Sequence, residues 1–419
     1  MIHQTVLDNG IRVISESLPS AHSVAIGVWV ENGSRHELAG EKGISHLLEH
    51  MLFKGTERRS ARDIAREVDS SGGMLNAFTS REYSCYYAKV LARRLPLAVD
   101  LLGDVIRHPL FDLDEIEKER RVVLQEIHMV EDTADDLIHD LFNQVFWQNH
   151  SLGCPILGTE ETVGAFDRNA LIDFMQRRYT GQRLLVCAAG DLNHEDLVDQ
   201  LSRVFGDLPA VGSRLANVAP EYRRHLSVCE KDLEQVHLCL GTRALPQNHP
   251  NRFAAYLLNA LLGGSMSSRL FQKVREEQGL AYSIYSYLHC HSDVGALVVS
   301  AGMAPADARR VVEIILREMR SLRDFPVPEE ELTAARERLR GNLLLSLEST
   351  ENRMTRLAKN EIYLGRQVSL RDVLHGFDRV TAEDVQRLAG FLFKDDYLNL
   401  QLLGRVDPAD FPDLDLTLG

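Results

Sequence analysis

The strongest constraint on what this chain can fold into is that its pattern is written twice. Leu184-Leu185-Val186-Cys187-Ala188-Ala189-Gly190 is an apolar strand ending on glycine, and Leu398-Asn399-Leu400-Gln401-Leu402-Leu403-Gly404 has the same shape about 210 residues later. A second correspondence has nearly the same displacement. His46-Leu47-Leu48-Glu49-His50-Met51-Leu52 lines up with Tyr256-Leu257-Leu258-Asn259-Ala260-Leu261-Leu262, keeping the apolar positions and losing every ionisable one. A chain of 419 residues also exceeds what a single hydrophobic core accommodates, so length and repetition agree on two homologous domains. The stretch 207–225, with Pro209, Gly212, Ser213 and Pro220 and no clear periodicity, reads as the linker, giving domains at 1–206 and 226–419.

Within the first domain, Val6-Leu7 and Ile11 to Ile14 flank Asn9-Gly10, a pair that tolerates the positive φ of tight hairpin turns. Val24 to Val30 reads as a strand, and helical patterns follow over roughly 43–54, 60–70, 94–107 and 113–130, with another near 194–205. Strands and helices in segregated groups predict an α+β fold, each domain a largely antiparallel sheet with helices packed on it.

Composition narrows the function. A net charge of −14 argues against a nucleic-acid partner, which needs clustered Lys and Arg. No apolar run is long enough to span a bilayer. Cys85, Cys154, Cys187, Cys229, Cys239 and Cys290 are scattered singly and read as reduced thiols, and the first residues lack the features of a secretory signal; both predict a cytoplasmic protein. The acidic group Glu131, Asp132, Asp135 and Asp136 reads as a solvated face, with attraction of basic peptides as the alternative.

On a helix, residues four apart share a face, so His46 and His50 can direct imidazoles at one ion. Glu49 stands close enough to act on a water held by that ion. The surrounding Ile44, Leu47, Leu48, Met51 and Leu52 make this a buried helix, where paired histidines need a reason; a pair of surface histidines is the bland alternative. H-x-x-E-H is the inverzincin motif.

With these residues the chain resembles the pitrilysin or insulinase family of zinc peptidases, which includes the mitochondrial processing peptidase and short bacterial two-domain peptidases. The resemblance extends over essentially the whole chain, most specifically at 43–56, 72–90, 117–127 and 264–286. It implies one Zn²⁺ per chain and a third ligand about 76 residues beyond the second histidine, which lands on Glu126. Glu119, two turns earlier on the same helical face, matches a glutamate that the family keeps near the site; a solvated carboxylate is the other reading.

Gly72 to Ser80 resembles the family's active-site edge strand, to which a peptide adds as a further strand, and Asn76, Ala77 and Phe78 become the substrate-binding candidates. Tyr83, Tyr86 and Tyr87 read as core. In the second half, Ser267 to Tyr282 resembles the family segment whose arginine and tyrosine reach the substrate, mapping onto Arg275 and Tyr282. Without that likeness Arg275 would be a surface helix residue and Tyr282 a core strand residue. Gly263-Gly264 reads as a tight turn, and His150 and His237 as structural.

The function these expectations imply is zinc-dependent endopeptidase action on extended or unfolded peptides, inside a chamber formed by two subunits of a homodimer, with Glu49 as general base. The alternative is a non-catalytic peptide-binding or structural subunit of the same family.

Overall fold

The computed structural model describes residues 1–212, 215, 217–406 and 417–418. The first half of the chain supplies strands β1 (Ile2–Val6), β2 (Arg12–Ser17), β3 (Ser23–Val30), β4 (Met74–Thr79), β5 (Ser84–Leu91) and β6 (Leu184–Gly190). The second supplies β7 (His225–Glu230), β8 (Val236–Ala244), β9 (Ala281–Cys290), β10 (Gly295–Met303) and β11 (Asn399–Gly404). They form two sheets, ordered β1-β2-β6-β3-β5-β4 and β7-β11-β8-β10-β9. Without β1, the first order becomes the second when each strand is replaced by its counterpart. The pairing sense repeats too, since β2–β6 and β7–β11 are parallel and every other neighbouring pair is antiparallel. Gly190 and Gly404 end the corresponding strands β6 and β11 at φ 143° and 140°. The duplication read in the sequence is thus a duplication of topology.

Helices in the first half are α1 (Ile44–Met51), α2 (Ala61–Ser70), α3 (Leu95–Arg107), α4 (Leu113–Asp132), α5 (Ala134–Phe146), α6 (Glu160–Ala165), α7 (Arg168–Arg178) and α8 (His194–Phe205). Those in the second are α9 (Arg252–Leu262), α10 (Ala308–Asp324), α11 (Glu329–Ser346), α12 (Thr350–Lys359), α13 (Leu370–Asp378) and α14 (Ala382–Leu392). Their bounds follow the apolar period. In α1, for example, Ile44, Leu47, Leu48 and Met51 are buried at i, i+3, i+4 and i+7.

Each sheet is covered on both faces. On one face of the first, Val24, Ile26, Val28 and Val186 pack with Leu47 and Leu48 of α1 and Val99 and Leu102 of α3. On the other, Ala25, Trp29, Leu185 and Cys187 meet Met354, Leu357 and Ala358 of α12. In the second sheet, Leu238, Leu240 and Val299 pack with Leu257 and Leu258 of α9, while Cys239, Val298 and Leu403 meet Ile138, Phe142 and Phe146 of α5. Burial on both faces explains why β6 reads as an unbroken apolar run instead of alternating.

The two compact units therefore interleave along the chain. One comprises Met1–Met129, Cys154–Ala216 and Ser346–Gln367, and the other Val130–Gly153, Asn217–Leu345 and Val368–Gly419. The helix covering the second face of each sheet, α12 or α5, comes from the opposite half of the sequence. Each sheet has more apolar surface than the consecutive helices of its own half conceal. Among the described residues no helix is long and apolar enough to cross a membrane, and all six cysteines are free thiols.

Candidate metal centre

In the first unit, α1 lies against the edge strand β4 and presents His46 and His50 one turn apart, their rings 4.7 Å between centroids. Helix α4 supplies Glu126, whose Oε2 lies 3.6 Å from His46 Nε2 and 3.7 Å from His50 Nε2. Among the described residues these three form the one group of His, Cys, Asp or Glu side chains able to converge on an ion, with all ligand atoms within 4.8 Å of one another. Atoms about 2.1 Å from one tetrahedral zinc stand about 3.4 Å apart, so the two observed separations fit the ion closely. The donor set fits as well: burial, reinforced by His50, lowers the His46 pKa to about 4, so the imidazole is neutral at pH 7 as a ligand must be.

The neighbours of these groups define their orientation. His50 Nδ1 lies 3.0 Å from Glu119 Oε2, which leaves Nε2 facing Glu126, and Lys54 Nζ lies 2.6 Å from Glu119 Oε1. Burial acts to raise the Glu119 pKa, but Lys54 and His50 together outweigh it and lower it overall. Glu119 is thus a buried, doubly partnered carboxylate and not a solvated one. Thr79 Oγ1, at the end of β4, donates to Glu49 Oε2 at 2.6 Å. Burial raises the Glu49 pKa, with the Thr79 bond and His50 opposing and Glu126 adding to the rise.

Strand β4 pairs only with β5, so its other edge is open among the described residues. The Ala77 N–H is held by the Asn76 side-chain carbonyl at 2.8 Å. Phe78 turns inward, its ring 6.1 Å from that of Tyr83 and 6.2 Å from that of Tyr87. Tyr83 and Tyr86 are buried.

Arg275 and Tyr282 lie in the second unit and are brought together there. Arg275 lies next to the end of a π-helical stretch, Phe271–Glu276, anchored by buried Leu270 and Val274, and its Cζ lies 4.9 Å from the Tyr282 ring centroid. Tyr282, at the start of β9, is 80% exposed, so its alternative reading as a core residue does not hold. His150 Nε2 meets the Val218 carbonyl and His237 Nδ1 lies 2.9 Å from Asp135, both structural contacts.

Sequence reasoning did not mark Thr79 or Lys54. Lys54 had a signal, since 46, 50 and 54 continue one helical spacing, whereas nothing in the pattern links Thr79 to a glutamate thirty residues earlier.

Residues 12–160 match the family model described as Insulinase (Peptidase family M16), and residues 165–339 match that described as Peptidase M16 inactive domain. "Uncharacterized zinc protease YmxG" of Bacillus subtilis is 43% identical over 397 residues, covering 95% of this chain and 97% of its own. An "Uncharacterized zinc protease" of Mycobacterium tuberculosis is 40% identical over 403 residues, covering 94% and 91%. A protease from Helicobacter pylori has the same fold, with a TM-score of 0.88 at 22% identity over 96% of this chain and 99% of that one. Topology, ligand spacing and these relatives together identify the chain as a two-domain member of the insulinase, or M16, peptidase family.

Proposed function

We propose that this chain is a zinc-dependent endopeptidase for extended or unfolded peptides, with one zinc per chain held by His46, His50 and Glu126. The observation that carries the reading is the convergence of both imidazole Nε2 atoms on one Glu126 oxygen, at 3.6 and 3.7 Å. Relatives described as zinc proteases support it. Bound zinc supplies Lewis acidity toward a peptide carbonyl and lowers the pKa of a water.

The remaining work falls to the chain's own side chains. Glu49 takes a proton from the attacking water and passes one to the leaving amine, a task suited to a carboxylate whose proton affinity burial has raised. Glu119 keeps the proton of His50 on Nδ1, and Lys54 holds Glu119 in its charged form. An extended peptide adds to the open edge of β4 beside Asn76, Ala77 and Phe78, exchanging the Asn76 contact at the Ala77 N–H for its own carbonyl. Arg275 and exposed Tyr282 bind the substrate and donate to the oxyanion. The six free thiols fit a reducing compartment, here the cytoplasm.

Mapping cuts in a mixed peptide pool by mass spectrometry, at defined zinc and again with chelator, tests the activity. Cleavage that stops on chelation is expected. Zinc binding without cleavage of any peptide would leave the non-catalytic peptide-binding subunit as the correct reading. The finer part of the proposal is a homodimer whose two chains enclose a chamber and complete each other's sites through Arg275 and Tyr282. Inactive Glu49→Gln chains mixed with inactive Tyr282→Phe chains then regain activity once subunits exchange; background activity despite demonstrated exchange rules out sharing.

A further inference from the structure

Helix α1 is only eight residues long, Ile44–Met51, and His46 sits in its first turn. A helix this short depends on its surroundings, and the first N–H groups of any helix lack partners within it. The usual remedy is absent. The N-cap is Gly43, in the left-handed region at φ 93° and without a side chain to accept those bonds. A Cβ there would stand 2.5 Å from the Leu157 carbonyl oxygen, so no capping side chain fits.

Glu37, six residues ahead of the cap, supplies the acceptors instead. Its Oε2 accepts the Gly43 N–H at 3.0 Å and its Oε1 the Ser45 N–H at 2.9 Å. The side chain is buried, the residue being 4% exposed. Lys42 Nζ closes the loop behind it by donating to the Glu37 carbonyl at 2.7 Å and the Ser34 carbonyl at 3.4 Å. The carboxyl thus grips the amides of the two residues that flank Ile44, with the second of them directly preceding His46.

We infer that Glu37 is a positioning residue for the metal centre: its carboxyl replaces the missing N-cap side chain of α1 and fixes where His46 presents its imidazole. The inference rests on the zinc reading of His46, His50 and Glu126. A purely structural cap would act on stability alone, and the first unit contains a control. Ser60 caps α2, accepting the Asp63 N–H at 3.2 Å, on a helix that bears no ligand.

The test uses the full chain and three readouts: the zinc dissociation constant from competition with a chromophoric chelator, visible absorption of the cobalt-loaded protein, and thermal unfolding of the metal-free protein. Zinc binding by the unaltered chain is measured first; its absence would overturn the metal reading and this inference with it. Glu37→Gln, which keeps one acceptor and loses the other, is expected to raise the dissociation constant about tenfold and to shift the cobalt spectrum. Ser60→Ala is expected to lower the melting temperature while leaving zinc affinity within about twofold. Affinity unchanged in Glu37→Gln, or shifted equally by both substitutions, would overturn the role of Glu37 and leave the metal reading standing. Should Glu37→Gln not fold, Glu37→Asp, which keeps the charge but falls short of both amides, is judged by the same thresholds.

Discussion

Helices α1 and α9 occupy corresponding places in the two units, yet only α1 carries histidine and carboxylate side chains. Each packs on the edge strand of its sheet, α1 on β4 and α9 on β9. Where α1 has His46, Glu49 and His50, α9 has Tyr256, Asn259 and Ala260. One contact survives the change. Glu49 Oε2 accepts from Thr79 Oγ1 at 2.6 Å, and Asn259 Oδ1 accepts from Ser286 Oγ at 2.8 Å. A hydrogen bond from an edge-strand hydroxyl to the helix is therefore part of the fold, and the charges are an addition to it.

That addition is unfavourable for stability. Burial raises the pKa of Glu49 and lowers that of His46, so each resists its charged form, while α9 buries neutral groups in the same architecture. Groups kept against such a penalty are expected where chemistry needs them.

The comparison can be broken most severely at Glu49. Glu49→Gln makes α1 resemble the amide of α9 at one position, retains the acceptor for Thr79 and removes the proposed base. Turnover is expected to fall about 10³-fold with zinc content unchanged. Near-normal peptide cleavage by the zinc-loaded variant would mean that the carboxylate is not the base.

A second difference lies at the start of the helices. Burial pushes the Glu37 carboxyl from an ordinary 4.5 up to about 7, with its bonds to Ser45 and Gly43 and the charge of Lys42 opposing the rise. A raised pKa means that the folded chain binds more protons than the unfolded one between those values. Its contribution to stability is complete below about pH 4.5 and is lost as pH rises through about 7, an amount of up to about 3 kcal/mol. Denaturant unfolding of the metal-free protein across this window should decline less steeply in Glu37→Gln than in the unaltered chain. Parallel curves would show that the group titrates normally.

The smallest effects separate the shared contact from the chemistry. Thr79→Val should lower kcat about tenfold with little change in KM, and Thr79→Ser should restore it, because the hydroxyl orients Glu49. Ser286→Ala, at the matching contact of α9, should cost about 1 kcal/mol of stability and leave kcat alone. Equal losses of kcat from Thr79→Val and Ser286→Ala would show that both contacts serve only packing.

Much of this was legible in the chain. The repeated strand-and-glycine device signalled a duplicated topology, and apolar spacing located α1 to α4 within a few residues, because local periodicity reflects which face of an element is buried. The candidate ligands His46 and His50 were visible for the same reason, as neighbours four apart on one helix. Glu126 became visible only through the family resemblance, since no local rule connects residues 76 positions apart.

What the sequence determined by itself was therefore local: period, turn chemistry and the helix that carries H-x-x-E-H. Tertiary structure alone decided that α12 covers the first sheet and α5 the second, that Glu37 caps a helix whose own cap has no side chain, and that Thr79 and Lys54 orient Glu49 and Glu119. The physical reason is common to all of these. Each joins residues of different elements or loops through burial or a hydrogen bond, six residues apart at Glu37 and Gly43 and thirty or more elsewhere, and such a pairing is fixed by where two segments meet and not by the pattern of residues around either partner.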